Sequence, residues 1–292
     1  MNARKDIERH RSLRDLTTFG IGGPADYFIP VHDIAAMQEA LLFCKTENLP
    51  YLILGKGSNV LLDDRGFAGV VIANRIQFLN KSEDESIWHL GAGYSFSLLG
   101  HQTARNDWSG LEFASGIPGS VGGAIYMNAG ANGAETAQSL VSVDYVTEEG
   151  ALIHLKKEEI TFGYRFSSFQ KMRGAIVGGT FQMEKKAGTR QKQLDIVHYR
   201  KKTQPYNAKS AGCLFRNPSC AHAGALIEQS GLKGKSIGDA QVSAVHANFI
   251  INKGSATTNE VLQLIAYICK EVKSQTGYDL EHEVRYIPYG GS

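Results

Sequence analysis

The sequence predicts a protein that mixes helices and strands in two or three domains. Its 292 residues exceed a typical single domain, and a charged segment at 184–192 is the best candidate for a domain boundary. Short apolar strands and helical patterns both recur along the chain. The chain also has 32 glycines against only 7 prolines, which favours tight turns and backbone-lined binding sites over a helical bundle.

Composition and charge argue against several classes of protein. With 42% hydrophobic and 21% charged residues the chain is typical of soluble globular proteins, and a formal charge of +2 does not indicate nucleic acid or an acidic membrane as a partner. No apolar run reaches the roughly 18 residues needed to span a bilayer. The charged start has no apolar signal core. We therefore expect a cytoplasmic protein that binds neither nucleic acid nor a membrane.

The cysteines have the distribution of reduced thiols. They are widely spaced without a Cys-x-x-Cys pair, and the histidines form no His-Glu-x-x-His motif. This spacing argues against a zinc cluster, so we expect no metal site. The four cysteines are Cys44, Cys213, Cys220 and Cys269.

The N-terminal elements follow from hydrophobic periodicity. An apolar strand at 27–31 precedes Asp33, which has the position of a helix N-cap. Apolar residues then recur at helical spacing from Ile34 to about Asn48. A second apolar strand follows at 51–55. This strand–helix–strand order favours parallel pairing of the two strands.

Further elements are predicted in the rest of the chain. Residues 140–146 and 151–155 flank a polar turn and predict a hairpin. Thr257 or Thr258 caps a long amphipathic helix. The other predicted strands cover 69–73, 86–93, 175–181, 245–252 and 280–287, and the other predicted helices cover 97–107, 221–230 and a basic segment that ends near Lys202.

A glycine-dense stretch at 115–130 is the strongest candidate for a ligand site. Glycine permits positive φ and close approach of another group, and Pro118 beside Gly119 is a turn signal. A buried segment of this kind exposes rows of peptide N–H groups, which suit phosphates. We interpret the stretch as a cradle for a phosphate-bearing cofactor. The alternative is a set of tight turns that only links strands.

A second glycine motif, Gly-Lys-Gly-Ser-Asn at 55–59, follows the apolar strand at 51–55. Open α/β sheets bind ligands at this place, at the carboxyl ends of their strands. The motif lacks the spacing of a Walker phosphate loop and differs from the Rossmann fingerprint. A plain strand–turn signal is the alternative.

Three side chains are candidates for catalysis. In the predicted strand at 280–287, Glu283 shares a face with Arg285 and could offer a general acid, unless that face is simply solvated. Arg165 lies among aromatic residues, where it either clamps an anion or packs along the rings. Cys213 is either an inert buried thiol or a group that gives or takes a proton.

Eight segments, in this order, resemble the UDP-N-acetylenolpyruvoylglucosamine reductase family. Each segment alone is weak, but the ordered set is highly specific and covers about residues 17–287. The segments are Thr-Thr-Phe-Gly-Ile-Gly-Gly-Pro-Ala at 17–25, Leu-Gly-Lys-Gly-Ser-Asn-Val-Leu-Leu at 54–62, Ser-Gly-Ile-Pro-Gly-Ser-Val-Gly-Gly-Ala at 115–124, Asn-Ala-Gly at 128–130, Tyr-Arg at 164–165, Ser-Ala-Gly-Cys-Leu-Phe-Arg-Asn-Pro at 210–218, His-Ala-Asn-Phe-Ile-Ile-Asn at 246–252 and Glu-Val-Arg at 283–285.

The resemblance implies an α+β flavin-binding fold of the vanillyl-alcohol-oxidase type, with a C-terminal α+β domain that binds the substrate. The implied ranges are 1–75 for FAD-binding subdomain 1, 76–187 for FAD-binding subdomain 2 and 188–292 for the substrate-binding domain. It also implies the shorter subtype of the family, whose substrate domain lacks an insertion found in the longer one.

The function implied by the resemblance is NADPH-dependent reduction of UDP-N-acetylglucosamine enolpyruvate to UDP-N-acetylmuramate through non-covalently bound FAD. This reaction belongs to peptidoglycan precursor synthesis, and hence to cell-wall formation, cell shape and cell division. We expect a cytoplasmic monomer. The alternatives are another FAD-dependent oxidase or dehydrogenase of the same fold, and a non-catalytic nucleotide-binding module.

The resemblance also assigns residues to roles. The family's catalytic arginine, proton donor and glutamate fall on Arg165, Cys213 and Glu283. The donor is often serine, so Cys213 departs from that pattern, although cysteine is known there in the shorter subtype. Tyr164 and Asn217 are assigned to the substrate. The residues assigned to FAD are Gly55, Lys56, Gly57, Ser58, Asn59, Gly116, Ile117, Pro118, Gly119, Ser120, Gly122, Gly123 and Ala124.

Overall fold

The computed structural model describes residues 7–291 of the chain. Residues 1–6 and residue 292, which the predicted domain ranges include, lie outside the described part. Contacts between Cα atoms divide the chain into two compact units. The three predicted domains, 1–75, 76–187 and 188–292, remain a prediction. Unit 1 comprises Met1–Arg9, Tyr27–Lys56 and Gly69–Arg200, and unit 2 comprises His10–Asp26, Gly57–Ala68 and Lys201–Ser292.

The described residues contain seven α-helices and four short 3₁₀ helices. The α-helices are α1 (Ile34–Thr46), α2 (Phe96–Arg105), α3 (Val121–Met127), α4 (Thr136–Ser139), α5 (Thr189–Thr203), α6 (Ala223–Gln229) and α7 (Thr258–Thr276). The 3₁₀ helices are Arg14–Leu16, Glu112–Gly116, Lys157–Glu159 and Ser168–Lys171.

Twenty strands, all within residues 7–291, accompany these helices. They are β1 (Glu8–Ser12), β2 (Pro24–Val31), β3 (Tyr51–Leu54), β4 (Val60–Leu62), β5 (Phe67–Asn74), β6 (Leu79–Lys81), β7 (Ile87–Gly91), β8 (Trp108–Ser109), β9 (Gly130–Ala131), β10 (Ala134–Glu135), β11 (Leu140–Thr147), β12 (Leu152–Lys156), β13 (Phe162–Gly163), β14 (Phe166–Ser167), β15 (Gly174–Gln182), β16 (Glu184–Lys185), β17 (Ser236–Ile237), β18 (Ala240–Val242), β19 (Ile250–Asn252) and β20 (Arg285–Ile287).

The main sheet of unit 1 has five antiparallel strands in the order β12-β11-β15-β7-β6. The predicted hairpin is confirmed, because β11 and β12 pair from Ser142–Lys156 to Val146–Leu152. Helix α3 packs on this sheet so closely that a Cβ on Gly179 in β15 would lie 2.6 Å from Ile125 Cδ1. The buried aromatic side chains of this core include Trp88, Phe96, Phe113 and Phe181.

A second sheet has the strand order β1-β2-β5-β3. The predicted strands at 27–31 and 51–55 form as β2 and β3, but they are not neighbours, so the prediction that they pair is wrong. β5 lies between them and pairs with β3 in parallel, from Tyr51–Val70 to Leu54–Ala73. β5 takes the central place because its apolar residues are buried, with Val70, Val71, Ile72 and Ala73 each 0% exposed.

In α1 the predicted N-cap is confirmed. The Asp33 carboxylate accepts a hydrogen bond from Ala36 N at 2.8 Å, which satisfies one of the helix's first N–H groups. Met37, Ala40, Leu41 and Cys44 then bury one side of the helix. The burial of Cys44 raises the pKa of its thiol to about 12, so this cysteine is an inert core residue.

Helix α7 forms the centre of the core of unit 2. The predicted cap is Thr257, whose hydroxyl accepts from Glu260 N at 3.2 Å while the Glu260 carboxylate accepts from Thr257 N at 2.9 Å. This reciprocal pair is a capping box. Gly277 ends the helix at φ +77°, where a Cβ would be strained. Within residues 7–291, no helix combines the length and apolar character needed to cross a membrane.

Two predicted strands of unit 2 are much shorter than the sequence indicates. Residues 245–249 form a turn, because the Ser243 hydroxyl accepts from Val245 N and His246 N at 3.1 and 3.3 Å, and only β19 at Ile250–Asn252 is a strand. At the C terminus only β20 is a strand, and it pairs in parallel with β4. Side-chain bonds to the backbone therefore override an apolar pattern here.

Candidate functional site

The glycine-dense stretch at 115–130 is mostly helical, which its glycine content does not predict. A 3₁₀ helix covers Glu112–Gly116, and α3 starts after Ser120, whose hydroxyl accepts from Gly123 N at 3.3 Å. The bend between the two helices contains Gly119 at φ +156°, a conformation that residues with a Cβ rarely adopt. The predicted cofactor residues 116–124 thus cover the end of the 3₁₀ helix, the bend and the first turn of α3 in unit 1, and we call this segment the glycine-lined turn.

Gly55 and Lys56 reach this same turn. A Cβ on Gly55 would lie 2.4 Å from Ser120 Oγ, so only glycine fits there. Lys56 Nζ donates to Ser95 Oγ at 2.7 Å, and Ser95 itself forms an antiparallel bridge with Ser120. The structure therefore brings two predicted cofactor segments, 55–56 and 116–124, together within unit 1.

Lys56 has an unusual electrostatic environment. Its side chain is exposed overall, but partial desolvation of the ammonium group lowers its pKa, and the positive charge of Arg75 lowers that pKa further. Two cations near one glycine-lined turn favour the binding of an anion.

Ser95 and Arg75 were not predicted from the sequence. Ser95 is the N-cap of α2, where its hydroxyl accepts from Leu98 N at 3.5 Å. A serine directly before an amphipathic helix is the signal that identifies such a cap. Its contact with Lys56 is not visible in the sequence, because the two residues are far apart in the chain.

Gly123 has no packing reason to be glycine. It is exposed in the first turn of α3, and a Cβ there would meet only Ser120 Oγ, at an ordinary 3.4 Å. Glycine in a helix costs about 1 kcal/mol relative to alanine. Gly122 differs, because its Cβ would lie 2.9 Å from Ala92 Cβ. A bare backbone at Gly123 therefore suits close approach by a bound group.

Arg165 in unit 1 is held in a strained backbone conformation. Its φ is +55°, which is unfavourable for a residue with a Cβ. Its guanidinium donates from Nη2 to Gly130 O at 2.9 Å and lies 5.0 Å from the centroid of the Tyr164 ring. Gln170 Nε2 donates to Arg165 O at 3.2 Å and helps to keep the turn. Such local strain is typical of functional positions.

The rest of the second glycine motif, residues 57–59, lies in unit 2. Gly57 has φ +60°, and its Cβ would lie 2.3 Å from Leu16 O. Its carbonyl accepts from Thr18 N at 3.1 Å. The fold of unit 2 therefore requires glycine at this position. Ser58 and Asn59 follow Gly57 and lie directly before β4.

Cys213 and Glu283 are brought together in unit 2, although they are 70 residues apart in sequence. Glu283 N donates to Leu214 O at 2.8 Å, and Arg216 N donates to Glu281 O at 2.9 Å. This short antiparallel pairing places the segment with Glu283 beside the segment with Cys213. Both side chains are half-buried, which leaves them accessible to a ligand.

The remaining predicted site residues are exposed. Tyr164 is 50% exposed. Asn217 is exposed as well, and its Oδ1 accepts from Ala223 N at 3.0 Å, so it helps to cap α6. Within residues 7–291 no group of three histidine, cysteine, aspartate or glutamate residues is arranged to hold a metal ion.

Two family models match the chain. Residues 25–156 match an FAD binding domain, and residues 204–287 match the C-terminal domain of UDP-N-acetylenolpyruvoylglucosamine reductase. A reductase of that name from Protochlamydia amoebophila (strain UWE25) is 65% identical over 277 residues, which is 95% of this chain and 92% of the relative. The chain belongs to the UDP-N-acetylenolpyruvoylglucosamine reductase family.

Further comparisons agree with this membership. A UDP-N-acetylenolpyruvoylglucosamine reductase from Chlamydia pneumoniae is 48% identical, over 97% of this chain and 92% of the relative. The crystal structure of UDP-N-acetylenolpyruvylglucosamine reductase from Thermus caldophilus is similar with a TM-score of 0.81 at 35% identity, and it covers 96% of this chain and 98% of that one.

Membership confirms the main predictions about class. The chain is an FAD-dependent oxidoreductase of the reductase family that acts in peptidoglycan precursor synthesis, and its α+β fold combines an FAD-binding domain with the family's C-terminal domain. The bare backbone at Gly123, the glycine-lined turn and the two nearby cations fit a dinucleotide with a diphosphate.

Proposed function

We propose that the chain reduces the enolpyruvyl ether of UDP-N-acetylglucosamine to UDP-N-acetylmuramate, with NADPH as the hydride donor. The observation that carries this proposal is the pairing of the Cys213 and Glu283 segments in a chain of this family. A half-buried thiol and a half-buried carboxyl on two paired segments can serve proton transfer at a reduced double bond.

Bound FAD supplies a two-electron carrier between NADPH and the substrate. We propose that the backbone of two segments holds it, together with the Lys56 ammonium group. The open face at Gly123 supports this assignment, since nothing in the chain fills it. The residues proposed for FAD are Gly55, Lys56, Gly57, Ser58, Asn59, Gly116, Ile117, Pro118, Gly119, Ser120, Gly122, Gly123 and Ala124.

Arg165 is proposed to stabilise the charge that develops during reduction. When hydride adds to the vinyl methylene carbon, negative charge builds up on the carboxylate side of the substrate. A guanidinium is permanently cationic, binds carboxylates in a fork and is pre-oriented here by Gly130 O and the Tyr164 ring. Glu283 can add to this only as a neutral carboxyl or through a bridging water, because a bare carboxylate would repel the same charge.

Cys213 is proposed to protonate the α-carbon of the substrate. A thiol is more acidic than the serine hydroxyl found in many relatives of this family, so it can donate the proton at lower cost. The proton leaves Sγ as the new C–H bond forms at the α-carbon. Cys213 then regains a proton from solvent before the next turnover.

Two further residues are proposed to bind the substrate. Tyr164 and Asn217 are exposed enough to bind it, and Asn217 does so while its Oδ1 caps α6. Lysines between 201 and 209 are candidates for the diphosphate. A monomeric state, a cytoplasmic location and the absence of nucleic-acid and membrane partners remain predictions.

Turnover measured under anaerobic conditions tests this proposal. With purified protein, NADPH and UDP-N-acetylglucosamine enolpyruvate, we expect a product that is two hydrogens heavier than the substrate by mass spectrometry. Flavin that is reduced only by an alcohol and reoxidised by oxygen would favour an oxidase of the same fold. Binding of the sugar nucleotide without any redox change would favour a non-catalytic module.

A further inference from the structure

The side chain of Asn59 contacts the segment that carries Glu283. Asn59 Nδ2 donates to Glu283 O at 3.3 Å. The main-chain carbonyl of Asn59 accepts from Arg285 N at 3.1 Å. One residue therefore binds the peptide groups on both sides of Val284, at the point where the chain enters β20.

The place of Asn59 in the fold explains why a side chain is needed there. β4 and β20 are parallel, and their pairing starts at Val60 opposite Arg285. Beyond that point the backbone ladder has ended, so no strand partner reaches Glu283 O from β4. The side-chain amide of Asn59 supplies that hydrogen bond, so the contact between the two segments continues for one residue beyond the paired strands.

The N–H group of Glu283 is also fixed. Glu283 N donates to Leu214 O at 2.8 Å, next to Cys213. The backbone of Glu283 is thus held by its N–H from the Cys213 segment and by its carbonyl from Asn59. With both groups bound, the Cα–Cβ direction of Glu283 is set relative to Cys213.

We propose that Asn59 is a positioning residue whose side-chain amide aims the Glu283 carboxyl. This inference rests on the proposed function, in which Glu283 acts on the substrate. Residues 55–59 are also predicted to bind FAD. Because the side-chain amide of Asn59 donates to Glu283 O, we expect the cofactor to contact only the backbone of Asn59. A shift of about 1 Å in a catalytic group costs up to roughly 100-fold in rate.

A double-mutant cycle between Asn59 and Glu283 tests the proposal on the FAD-loaded enzyme. The rates are those of flavin reduction by NADPH and of flavin reoxidation by UDP-N-acetylglucosamine enolpyruvate, in anaerobic stopped-flow. We expect Asn59→Ala to slow reoxidation about 10- to 100-fold in the wild type but by no more than about twofold in the Glu283→Ala background, where no carboxyl is left to aim. The reduction rate and the FAD dissociation constant should stay within about twofold of the wild type.

Asn252 provides a matched control in the same unit. Its amide donates to Phe19 O at 3.1 Å and its Oδ1 accepts from Gly254 N at 2.9 Å, and both of these partners lie outside the Glu283 segment. Any loss of reoxidation rate in Asn252→Ala should appear in full in the Glu283→Ala background. Independent effects of this kind multiply, whereas the Asn59 effect should vanish.

The variant Asn59→Asp separates a hydrogen bond from mere packing. Its shape is that of asparagine, but an ionised carboxylate cannot donate to Glu283 O, whereas a protonated carboxyl can. Relative to the wild type at each pH, we expect reoxidation by this variant to recover as the pH falls. Asn59→Ala should show no such recovery.

Two outcomes would overturn the inference in different ways. If Asn59→Ala slows reoxidation equally in the wild type and in Glu283→Ala, or weakens FAD binding by the same factor, the amide does not act through Glu283. If Glu283→Ala itself leaves reoxidation unchanged, the proposed role of Glu283 fails and the inference fails with it. The rate of the single Glu283 variant thus separates failure of the proposed function from failure of the positioning role of Asn59.

Discussion

Cys213 gives the sharpest prediction at the scale of single residues. We expect Cys213→Ala to retain flavin reduction by NADPH and to lose flavin reoxidation by the substrate, because only the second step needs a proton donor. Removing a general acid typically costs about 10²- to 10⁴-fold. Anaerobic stopped-flow absorbance follows each step separately.

The conservative variant Cys213→Ser is the control for this prediction. A hydroxyl has nearly the shape of a thiol and also donates a proton, so reoxidation should recover much of its rate. Unchanged turnover in Cys213→Ala would remove the thiol from the mechanism. In that case Cys213 would be a packing residue, as the alternative interpretation of the sequence has it.

Asp63 predicts a pH dependence of stability. Two hydrogen bonds from the Arg65 guanidinium, at 2.7 and 3.0 Å, one from Arg65 N, at 2.9 Å, and one from the Tyr286 hydroxyl, at 2.9 Å, hold the pKa of this buried carboxyl well below its usual range. The ionised Asp63 carboxylate therefore contributes to the free energy of unfolding at pH values above about 3.9, the pKa of aspartate in the unfolded chain. This contribution is lost as the pH falls from there through the folded pKa.

The variant Asp63→Asn measures this contribution. The Arg65 side chain is 69% exposed, so solvent screens the pair, and we expect a loss of about 1–2 kcal/mol in the free energy of unfolding at pH 7. The difference between the variant and the wild type should shrink at pH 3. Urea unfolding of the FAD-loaded proteins at both pH values gives the comparison, and an equal difference at the two would contradict the assignment.

At the scale of elements, Gly123 in α3 links helix stability to cofactor binding. Gly123→Ala should raise stability without FAD by up to about 1 kcal/mol, since alanine favours the helix and finds free space. The substitution should also raise the dissociation constant of FAD about tenfold, because the new methyl group occupies the face that the cofactor approaches. Apoprotein unfolding and FAD titration measure the two effects.

Gly122→Ala is the matched control for Gly123→Ala. Its Cβ would lie 2.9 Å from Ala92 Cβ, so it should lower the stability of the apoprotein. Loss of stability in Gly123→Ala, or unchanged FAD affinity, would mean that Gly123 does not leave its face open for the cofactor.

Elements with strong local signals could be predicted from the sequence. The N-caps of α1 (Asp33) and α7 (Thr257) could be predicted because a capping side chain binds an N–H group only three residues away. Helix α3 was missed because its two adjacent glycines have poor helix propensity. Its packing on Gly179 in β15 outweighs that propensity, and such tertiary contacts are not visible in a local pattern.

The candidate site was less accessible to prediction than the helices. Hydrophobic pattern alone left Arg165, Cys213 and Glu283 with structural alternatives, and only the ordered resemblance to a family assigned them roles. The strained φ of Arg165 and the bond between Glu283 and Leu214 arise from tertiary structure. The side-chain bond from Asn59 to Glu283 O has no sequence signal, since it joins residues far apart in the chain.

At the scale of the whole molecule, the chain builds unit 2 from three separate segments. His10–Asp26 and Gly57–Ala68 join the C-terminal segment, and they supply Gly57 and Asn59 to the unit that contains Cys213 and Glu283. Arg165 and the 116–124 turn belong to unit 1. The composition indicates a boundary near 184–192, but it does not predict that two N-terminal segments join unit 2. Long-range pairing, such as that of β4 with β20, cannot be recognised in the local sequence.

Cofactor attachment is a property of the whole enzyme. Non-covalent FAD is expected, so denaturation by acid followed by centrifugation should leave a yellow supernatant. FAD in the supernatant is identified by its fluorescence after hydrolysis to FMN. Flavin that stays with the precipitated chain would contradict a site made of backbone groups and a lysine.

The most direct test of the central claim is one anaerobic spectrum of the purified enzyme, recorded after each of two additions. One equivalent of NADPH should bleach the flavin absorbance, and one equivalent of UDP-N-acetylglucosamine enolpyruvate should then restore it in full. Flavin that NADPH leaves oxidised, or that stays bleached in the presence of the enolpyruvyl sugar nucleotide, would contradict the proposed reaction.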